Sequence, residues 1–283
     1  MQHFIYLVFL FISLLPLSLL AKDNTAFAIP RSSVVEITDS NTNRVYPLFI
    51  KLPKSYQKKP DKHYPVIYLS DAWYAFQIVS GATRYPMNVG KMEEAIIVGI
   101  SYSKEAKRDN SRVRDYTPTT NKNWRQQTGQ AEQHMAFMVD DLFPYIEQHY
   151  RTDPNNRTFI GNSLGGLFAS YVLLNKPEMF KNYIIGSPSY WYDNKVIFDL
   201  ETKRAKPTKA IHANVFIAIG ERETKALESS YDMVNDARLF YQKLLAWQQP
   251  QLKVKMMVIP EANHQTAFPT TAIQGLYWVH QTP

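Results

Sequence analysis

The alternation of short apolar runs with longer amphipathic stretches is the feature that most constrains the fold of this chain. Six runs rich in β-branched and aromatic residues have the length and composition of buried parallel strands: 66–69, 95–100, 158–160, 183–185, 215–219 and 254–259. Two earlier runs, 33–39 and 44–52, alternate in polarity like a hairpin pair. The pattern predicts one α/β domain with about eight mostly parallel strands flanked by helices.

Two of the stretches between these runs have clear helical periodicity. Apolar residues recur at helical spacing from Met135 to Ile146 and again from Met233 to Trp247. Pro144 is expected to start a new turn rather than continue the first helix. Such stripes are typical of core-facing helix surfaces, so no chemistry is assigned to them.

The N-terminus resembles an export signal. Residues 4–21 are apolar and carry no charge, and small residues follow, which predicts a signal peptide within residues 1–28. Cleavage after Ala21 or Ala28 would leave a domain extending to residue 283, periplasmic or secreted and without a membrane span. The first residues contain no Lys or Arg, so a retained N-terminal anchor remains the alternative.

Composition narrows the chemistry. The chain has no cysteine, which excludes disulfides and thiolate metal sites, and we predict no metal centre. The net charge of +7 favours anionic partners, and basic residues group at 51–62, 104–114 and 203–209. No nucleic-acid-binding motif is recognisable, and a solvated basic surface accounts for the charge. Attraction of an anionic substrate or of an acidic envelope surface is the alternative. The oligomeric state is left open.

Three of only 10 glycines surround one serine. Gly161, Ser163 and Gly165 form the pattern Gly-x-Ser-x-Gly, with the predicted strand 158–160 before it and an apolar helical stretch, 164–174, after it. This is the setting of a nucleophile elbow, in which a strained strand-to-helix turn exposes a serine hydroxyl at the end of a sheet. The motif therefore predicts Ser163 as a nucleophile.

A serine hydroxyl needs a base, which in this fold follows the acid in chain order. His264 comes shortly after the last predicted strand, where the base is expected. His280 lies in a predicted terminal helix, and His212 precedes its strand, at the wrong end. We predict His264 as the general base.

The acid should follow the strand 215–219, which leads into Gly220-Glu221-Arg222-Glu223. Two carboxylates are available there. Glu223 is favoured because it lies farther beyond the strand end and has more room to turn toward the histidine, and Glu221 remains the alternative.

The predicted mouth of the site is rich in aromatic residues. We predict Tyr74, Tyr190 and Trp191 as substrate-binding residues that suit an aromatic acyl group, although such residues equally often fill a core. Residues 101–130 form a polar, basic stretch with little periodicity, and a loop of that length inside a compact domain usually shapes a site. One oxyanion donor is expected from the elbow, the amide of Leu164, and a second from the loop after the third strand.

Several segments together resemble one known family. YPVIYLSDAWY, RVRDYTPT, the long run containing GNSLGG, GERE and PEANH are similar to the esterase family of α/β-hydrolases, which includes siderophore (enterobactin-type) esterases, S-formylglutathione hydrolases and mycolyltransferases. The resemblance covers roughly residue 33 to the C-terminus and implies the α/β-hydrolase fold, with no cofactor.

Carried over by position, the resemblance implies Ser163 as nucleophile, His264 as base, a carboxylate of GERE as orienting acid, and the amides of Leu164 and Trp73 as oxyanion donors. Similar sequences usually have Asp-Gly after the third strand, whereas this chain has Asp71-Ala72. A Cβ at residue 72 is expected to restrict that turn.

These features predict an exported serine esterase that acts on a small-molecule carboxylic ester through an acyl-enzyme. An anionic aromatic ester, such as that of a catecholate siderophore, fits the basic surface and the aromatic mouth. An acyltransferase with the same triad is the first alternative, and a non-catalytic binding protein with a hydrolase fold is the second.

Overall fold

The computed structural model of the protein describes residues 26–107, 109–204 and 210–282. Most of the predicted signal peptide, residues 1–28, lies outside the described residues, including its whole apolar run 4–21. Arg108 and most of the basic group at 203–209 also lie outside them. Among the described helices, none combines the length and apolar character needed to cross a membrane.

The described strands form one eight-stranded sheet with the order β1-β2-β4-β3-β5-β6-β7-β8. β1 and β2 pair antiparallel, as do β2 and β4, and all other neighbours are parallel. The eight predicted runs are all strands: β1 Ser32–Thr38, β2 Val45–Lys51, β3 Tyr64–Leu69, β4 Ile96–Ile100, β5 Thr152–Asn162, β6 Asn182–Gly186, β7 Ala213–Gly220 and β8 Leu252–Ile259. The fold prediction is therefore confirmed.

Burial follows position in the sheet. β3, β4 and β6 are buried along their whole length, because helices cover both faces of a parallel sheet and leave no polar side. The edge strands β1 and β8 mix exposed with partly buried residues.

Helices cover the two faces unequally. α1 Ala72–Asn88 and α8 Ala267–His280 share one core with one face of the sheet. The opposite face has the larger core and is covered by five further helices: α3 Ala131–Phe137, α4 Phe143–His149, α5 Leu164–Asn175, α6 Tyr192–Arg204 and α7 Met233–Ala246. A short helix, α2 Asn110–Asp115, lies within the segment predicted to be a loop.

The helix predicted around Met135 to Ile146 contains a π-helical turn. α3 ends at Phe137, residues Met138–Leu142 form the π turn, and α4 continues from Phe143. Pro144 has no N–H, and its ring would clash with the carbonyl of Asp140 in a regular α-helix, so the wider turn accommodates it. The second predicted helix is confirmed as α7.

The carboxyl ends of the parallel strands meet at one edge of the sheet. Consecutive pairings place β3 beside β5, β5 beside β6, β6 beside β7 and β7 beside β8. The segments that leave these strands are therefore neighbours in space, although they are spread over nearly two hundred residues of sequence.

Candidate active site

Ser163 occupies a sharp turn between β5 and α5. Its φ of 59° and ψ of −118° are rare for a residue with a Cβ, and two backbone contacts hold them. The Ser163 N–H donates to the Gly186 carbonyl at 3.0 Å, and the Ser163 carbonyl accepts from Ser189 N–H at 3.1 Å. This is the geometry of a nucleophile elbow.

The glycines around Ser163 permit the strand and helix to approach closely. A Cβ at Gly161 would lie 2.2 Å from the Gly165 carbonyl oxygen, and one at Gly165 would lie 2.3 Å from Ser70 Oγ. The second contact also locates the β3–α1 corner directly against the first turn of α5. The glycines in the motif therefore have a steric role that brings two corners of the site together.

His264 and Glu223 are in direct side-chain contact beside the elbow. His264 Nδ1 lies 2.7 Å from Glu223 Oε2, and the Glu223 side chain is almost fully buried. A carboxylate only accepts, so Nδ1 carries the proton and Nε2 of the neutral ring is left as an acceptor. Glu223 Oε1 accepts from Ser187 Oγ at 2.6 Å and from Gly220 N–H at 2.9 Å.

The other carboxylate of the GERE segment points elsewhere. Glu221 Oε2 accepts from the Glu261 N–H at 3.0 Å, and its side chain is exposed. The structure therefore brings Glu223, and not Glu221, against His264.

A surface network ties the loop that carries His264 to the loop that carries Glu223. Glu228 accepts from Asn263 Nδ2 at 2.9 Å and from Arg222 Nε at 2.6 Å. Both hydrogen bonds lower the pKa of the Glu228 carboxyl, and the one from Asn263 has the larger effect. The network keeps the two loops in register, so that His264 faces its carboxylate.

The Ser163 hydroxyl has a partner that the sequence analysis missed. Ser163 Oγ lies 3.1 Å from Ser189 Oγ, in the segment Ser187-Pro188-Ser189 that follows β6. One serine of this segment contacts the carboxylate of Glu223 and the other contacts the nucleophile. Its position directly after a predicted parallel strand was the available signal.

The β3–α1 corner, from which the second oxyanion donor is predicted, lies beside the elbow. Leu69 pairs with Ile160, which brings the residues that follow β3 beside the elbow. The amides of Leu164 and Trp73 both lie in first turns of helices, where N–H groups have no acceptor within the helix. Both are therefore available to a developing oxyanion.

Asp71, and not Ala72, takes the unusual backbone conformation in the turn after β3. Asp71, with φ of 56° and ψ of 48°, takes the left-handed conformation, which aspartate tolerates, and Ala72 is already helical. The Ala72 methyl group packs against Gly99 of β4, where a second Cβ would come within 2.8 Å. The Cβ at residue 72 therefore does not restrict this turn.

A buried ion pair supports the corner. Arg112 Nε lies 2.7 Å from Asp71 Oδ1, and both side chains are largely buried. The hydroxyl of Tyr116 lies 3.4 Å from the Asp71 amide. Tyr74 lies beside this pair, and its burial, with Asp71 adding to the effect, raises the pKa of its phenol to about 12.

An aromatic stack lines one side of the cleft. Trp191 stacks on Tyr231 with ring centroids 4.5 Å apart, and Trp124 stacks on the same indole at 6.2 Å. The cleft has a volume of about 240 Å³ and includes Ser163, Ser189, Trp191, Glu223, Tyr231 and His264 among its lining residues. Tyr231 and Trp124 carry no sequence signal, because each lies in an irregular segment.

Tyr190 does not fit its predicted role. Its ring is fully buried, with Phe240 at 4.8 Å and Phe198 at 5.7 Å, and its hydroxyl contacts Ser170 Oγ at 2.7 Å. The side chain belongs to the core because Trp191, one residue later, faces the cleft in its place.

Several basic side chains of the segment 101–130 form ion pairs with acidic residues. Lys104 pairs with Glu36 at 2.9 Å and Arg112 with Asp71 at 2.7 Å. Arg114 pairs with Asp115 at 2.6 Å and with Glu105 at 3.0 Å. Trp124 of this segment stacks on Trp191, which lines the cleft. These ion pairs neutralise part of the positive charge of the segment, which leaves less free charge to attract a substrate.

In the described parts of the chain, no group of three His, Asp or Glu side chains is arranged to hold a metal ion.

An eight-stranded, mostly parallel sheet with a serine on a strained strand-to-helix turn defines the α/β-hydrolase class. Within that class, the chain belongs to the family described as "Putative esterase", which matches residues 40–251. The protein is accordingly a hydrolase that acts on esters.

Its similarity to individual proteins extends over most of the chain. It is 32% identical to ferri-bacillibactin esterase BesA of Bacillus subtilis (strain 168), over 89% of this chain and 91% of that protein. The crystal structure of BES protein from Bacillus cereus superposes with a TM-score of 0.80 at 29% identity, covering 92% of this chain and 98% of that one. An IroE-like serine hydrolase from Shewanella oneidensis shares the fold, with a TM-score of 0.76, 24% identity, and coverage of 87% and 79%.

Proposed function

We propose that the protein is an exported serine esterase that hydrolyses a carboxylic ester of a siderophore through Ser163, His264 and Glu223. The observation that carries this proposal is the 2.7 Å contact of His264 Nδ1 with Glu223 Oε2, in the same cleft as a serine on a nucleophile elbow.

The chemistry begins at the imidazole. With its Nδ1–H donated to Glu223, His264 accepts the Ser163 proton at Nε2 while the serine oxygen attacks the ester carbonyl carbon. The carbonyl oxygen becomes an oxyanion, which the amides of Leu164 and Trp73 stabilise. When the tetrahedral intermediate collapses, His264 gives the proton to the departing alcohol, and an acyl-serine remains.

Deacylation repeats the sequence with water. His264 removes a proton from the water as it attacks the acyl carbon, and then returns that proton to Ser163 Oγ as the acid leaves. Glu223 stays ionised and stabilises the imidazolium in both steps. Its buried carboxylate is satisfied by Ser187 and Gly220, which supports this fixed role.

The substrate class rests on the relatives and on the cleft wall. The Bacillus subtilis relative is named for ferri-bacillibactin. The stacked indole of Trp191 and phenol of Tyr231 offer flat surfaces against which an aromatic acyl group can pack. The proposal of export rests on the apolar residues 4–21. It is tested by N-terminal sequencing of this protein isolated from the cell envelope, and the sequence is expected to begin at Lys22 or Ile29.

The deciding experiment is labelling by a fluorophosphonate followed by intact-mass measurement. The wild type is expected to gain one adduct at Ser163, and Ser163→Ala none, with matching circular dichroism spectra. A folded wild type that stays unlabelled would contradict the serine mechanism.

The substrate is tested separately, by following the products formed from ferri-bacillibactin and from a simple nitrophenyl ester. Cleavage of both supports the proposal, whereas cleavage of the simple ester alone would remove the siderophore from it. Formation of a new ester when alcohols are added would indicate an acyltransferase instead.

A further inference from the structure

A second cavity lies between β2 and α1, apart from the catalytic cleft. Its volume is about 340 Å³, and its lining shares no residue with that of the cleft. Lys51, the last residue of β2, contributes one wall, and Ser80, Gly81 and Arg84 of α1 contribute another. Arg31, just before β1, closes a third side.

Three cations line this cavity without an acidic partner. Within the described residues, no carboxylate oxygen comes within 4.0 Å of a side-chain nitrogen of Arg31, Lys51 or Arg84. Glu94 is the acid whose charge acts on the Lys51 ammonium. Its carboxylate accepts a hydrogen bond from the Ser55 amide at 2.9 Å. Arg31 and Arg84 are exposed, whereas Lys51 is buried, and a buried cation is normally paired with an acid.

Lys51 is the buried member of this group of three cations. The residue is only 4% exposed. Burial, followed by repulsion from Arg31 and Arg84, lowers the pKa of its ammonium to about 8. The group is therefore still mostly charged at neutral pH, at a cost to stability that an anion would offset.

The cavity also presents a fixed donor and an unused hydroxyl. Arg31 adopts a positive φ of 62°, and its Nε donates to the Leu52 carbonyl at 3.1 Å, which anchors the guanidinium on one side. Ser80 Oγ is buried and, in the described part of the chain, has no hydrogen-bond partner. Next to it, a Cβ added at Gly81 would meet nothing within 4 Å, so the helix surface there is open.

We propose that this cavity is a binding site for a phosphate group. A phosphate monoester carries up to two negative charges and several acceptor oxygens, so it can neutralise most of the cluster and also accept from Ser80. A single carboxylate would leave two positive charges uncompensated. The phosphate can belong to a soluble molecule or to phosphatidic acid, a lipid whose headgroup is also a phosphate monoester.

The first test uses inorganic phosphate as the probe, with chloride at matched ionic strength as the reference. Calorimetry and thermal unfolding are expected to show phosphate binding and a raised Tm in the wild type. Arg84→Gln should weaken phosphate binding about tenfold, the loss expected for one charged hydrogen bond. Lys58→Gln removes an equally exposed cation outside the cavity and should leave binding unchanged.

Two further variants separate binding from folding. Lys51→Met removes a buried charge while keeping a similar shape, so it should raise the Tm without ligand and yet lose the response to phosphate. Gly81→Leu keeps all three cations but fills the open space, and should also lose that response. Equal responses to phosphate and chloride in the wild type, or an unchanged phosphate response in both variants, would overturn the proposal.

The source of the phosphate is decided by co-sedimentation with vesicles. If the cavity binds lipid headgroups, phosphatidic acid vesicles should retain the wild type and release Arg84→Gln, while phosphatidylcholine vesicles retain neither. If it binds soluble phosphates, inorganic phosphate should bind in calorimetry, while wild type and Arg84→Gln behave alike on vesicles.

Discussion

Glu223 Oε2 and His264 Nδ1 lie 2.7 Å apart, although the two residues are separated by 41 positions in the chain. The contact joins the loop after β7 to the loop after β8, which are adjacent parallel strands. Because Glu223 is buried and held by two further donors, it fixes both the orientation and the tautomer of the imidazole.

The first prediction separates the two carboxylates of the GERE segment. Glu223→Gln should lower kcat by about 10⁴, since a neutral amide no longer favours the required tautomer. Glu221→Gln is the matched control, because its side chain contacts only the Glu261 amide at the surface, and it should lose less than about threefold. Steady-state kinetics with thermal unfolding of both variants would measure this. If Glu221→Gln were the inactive variant, the proposed triad would be wrong.

Ser189→Ala tests the partner of the nucleophile. For the Ser163 proton to point at His264, Ser189 must be the donor in the 3.1 Å contact, so its loss should slow phosphonylation by a fluorophosphonate about tenfold. The Tm should change little, since the Ser189 amide contact remains. Ser170→Ala, equally buried but bonded to Tyr190, should keep the wild-type phosphonylation rate. Faster labelling of Ser189→Ala would mean that this hydroxyl restrains the resting serine instead.

The third prediction distinguishes Tyr190 from its neighbour. Tyr190→Phe keeps the buried ring and loses one hydrogen bond, so it should cost about 1 kcal/mol of stability and leave kcat/KM unchanged. Trp191→Ala removes part of the cleft wall and should raise KM for an aromatic ester about fivefold to tenfold. Urea unfolding and kinetics on both variants give the comparison. A large kinetic defect in Tyr190→Phe would restore its predicted contact with substrate.

The fourth prediction concerns stability against pH. Burial, with Lys181 adding to it, lowers the pKa of His280 from 6.5 to about 4 in the folded protein. Between these values the unfolded chain binds more protons, so the free energy of unfolding should fall as pH drops from about 6.5 to about 4 and be constant above that window. The contribution of His280 is about 3 kcal/mol at most.

His280→Gln should flatten this dependence while keeping a polar contact to Thr158, whose Oγ1 lies 2.9 Å from the imidazole Nε2. Part of the slope should remain, because burial also lowers the pKa of His134. His63→Gln, at an exposed position, serves as the control and should follow the wild type. An unchanged slope in His280→Gln would contradict the assignment.

The sequence by itself determined the sheet, the elbow and the candidate base. Strand-forming runs and helical stripes are local patterns, and a chain that alternates them has few ways to bury both faces of its sheet. The glycines around Ser163 and the place of His264 after the last strand follow from chain order alone. Parallel strands bring their carboxyl ends to one edge, so order along the chain already predicts which segments meet there.

Only the tertiary structure decided which side chain faces which. Glu223 turns to His264 because Ser187 and the Gly220 amide hold its other oxygen. Ser187 follows the neighbouring strand β6, so its contact cannot be predicted from the GERE segment. Tyr190 and Trp191 are adjacent aromatic residues, yet packing against Phe240 puts one in the core and leaves the other in the cleft. The direction of a side chain beyond a strand end depends on contacts with distant residues, and local sequence does not encode them.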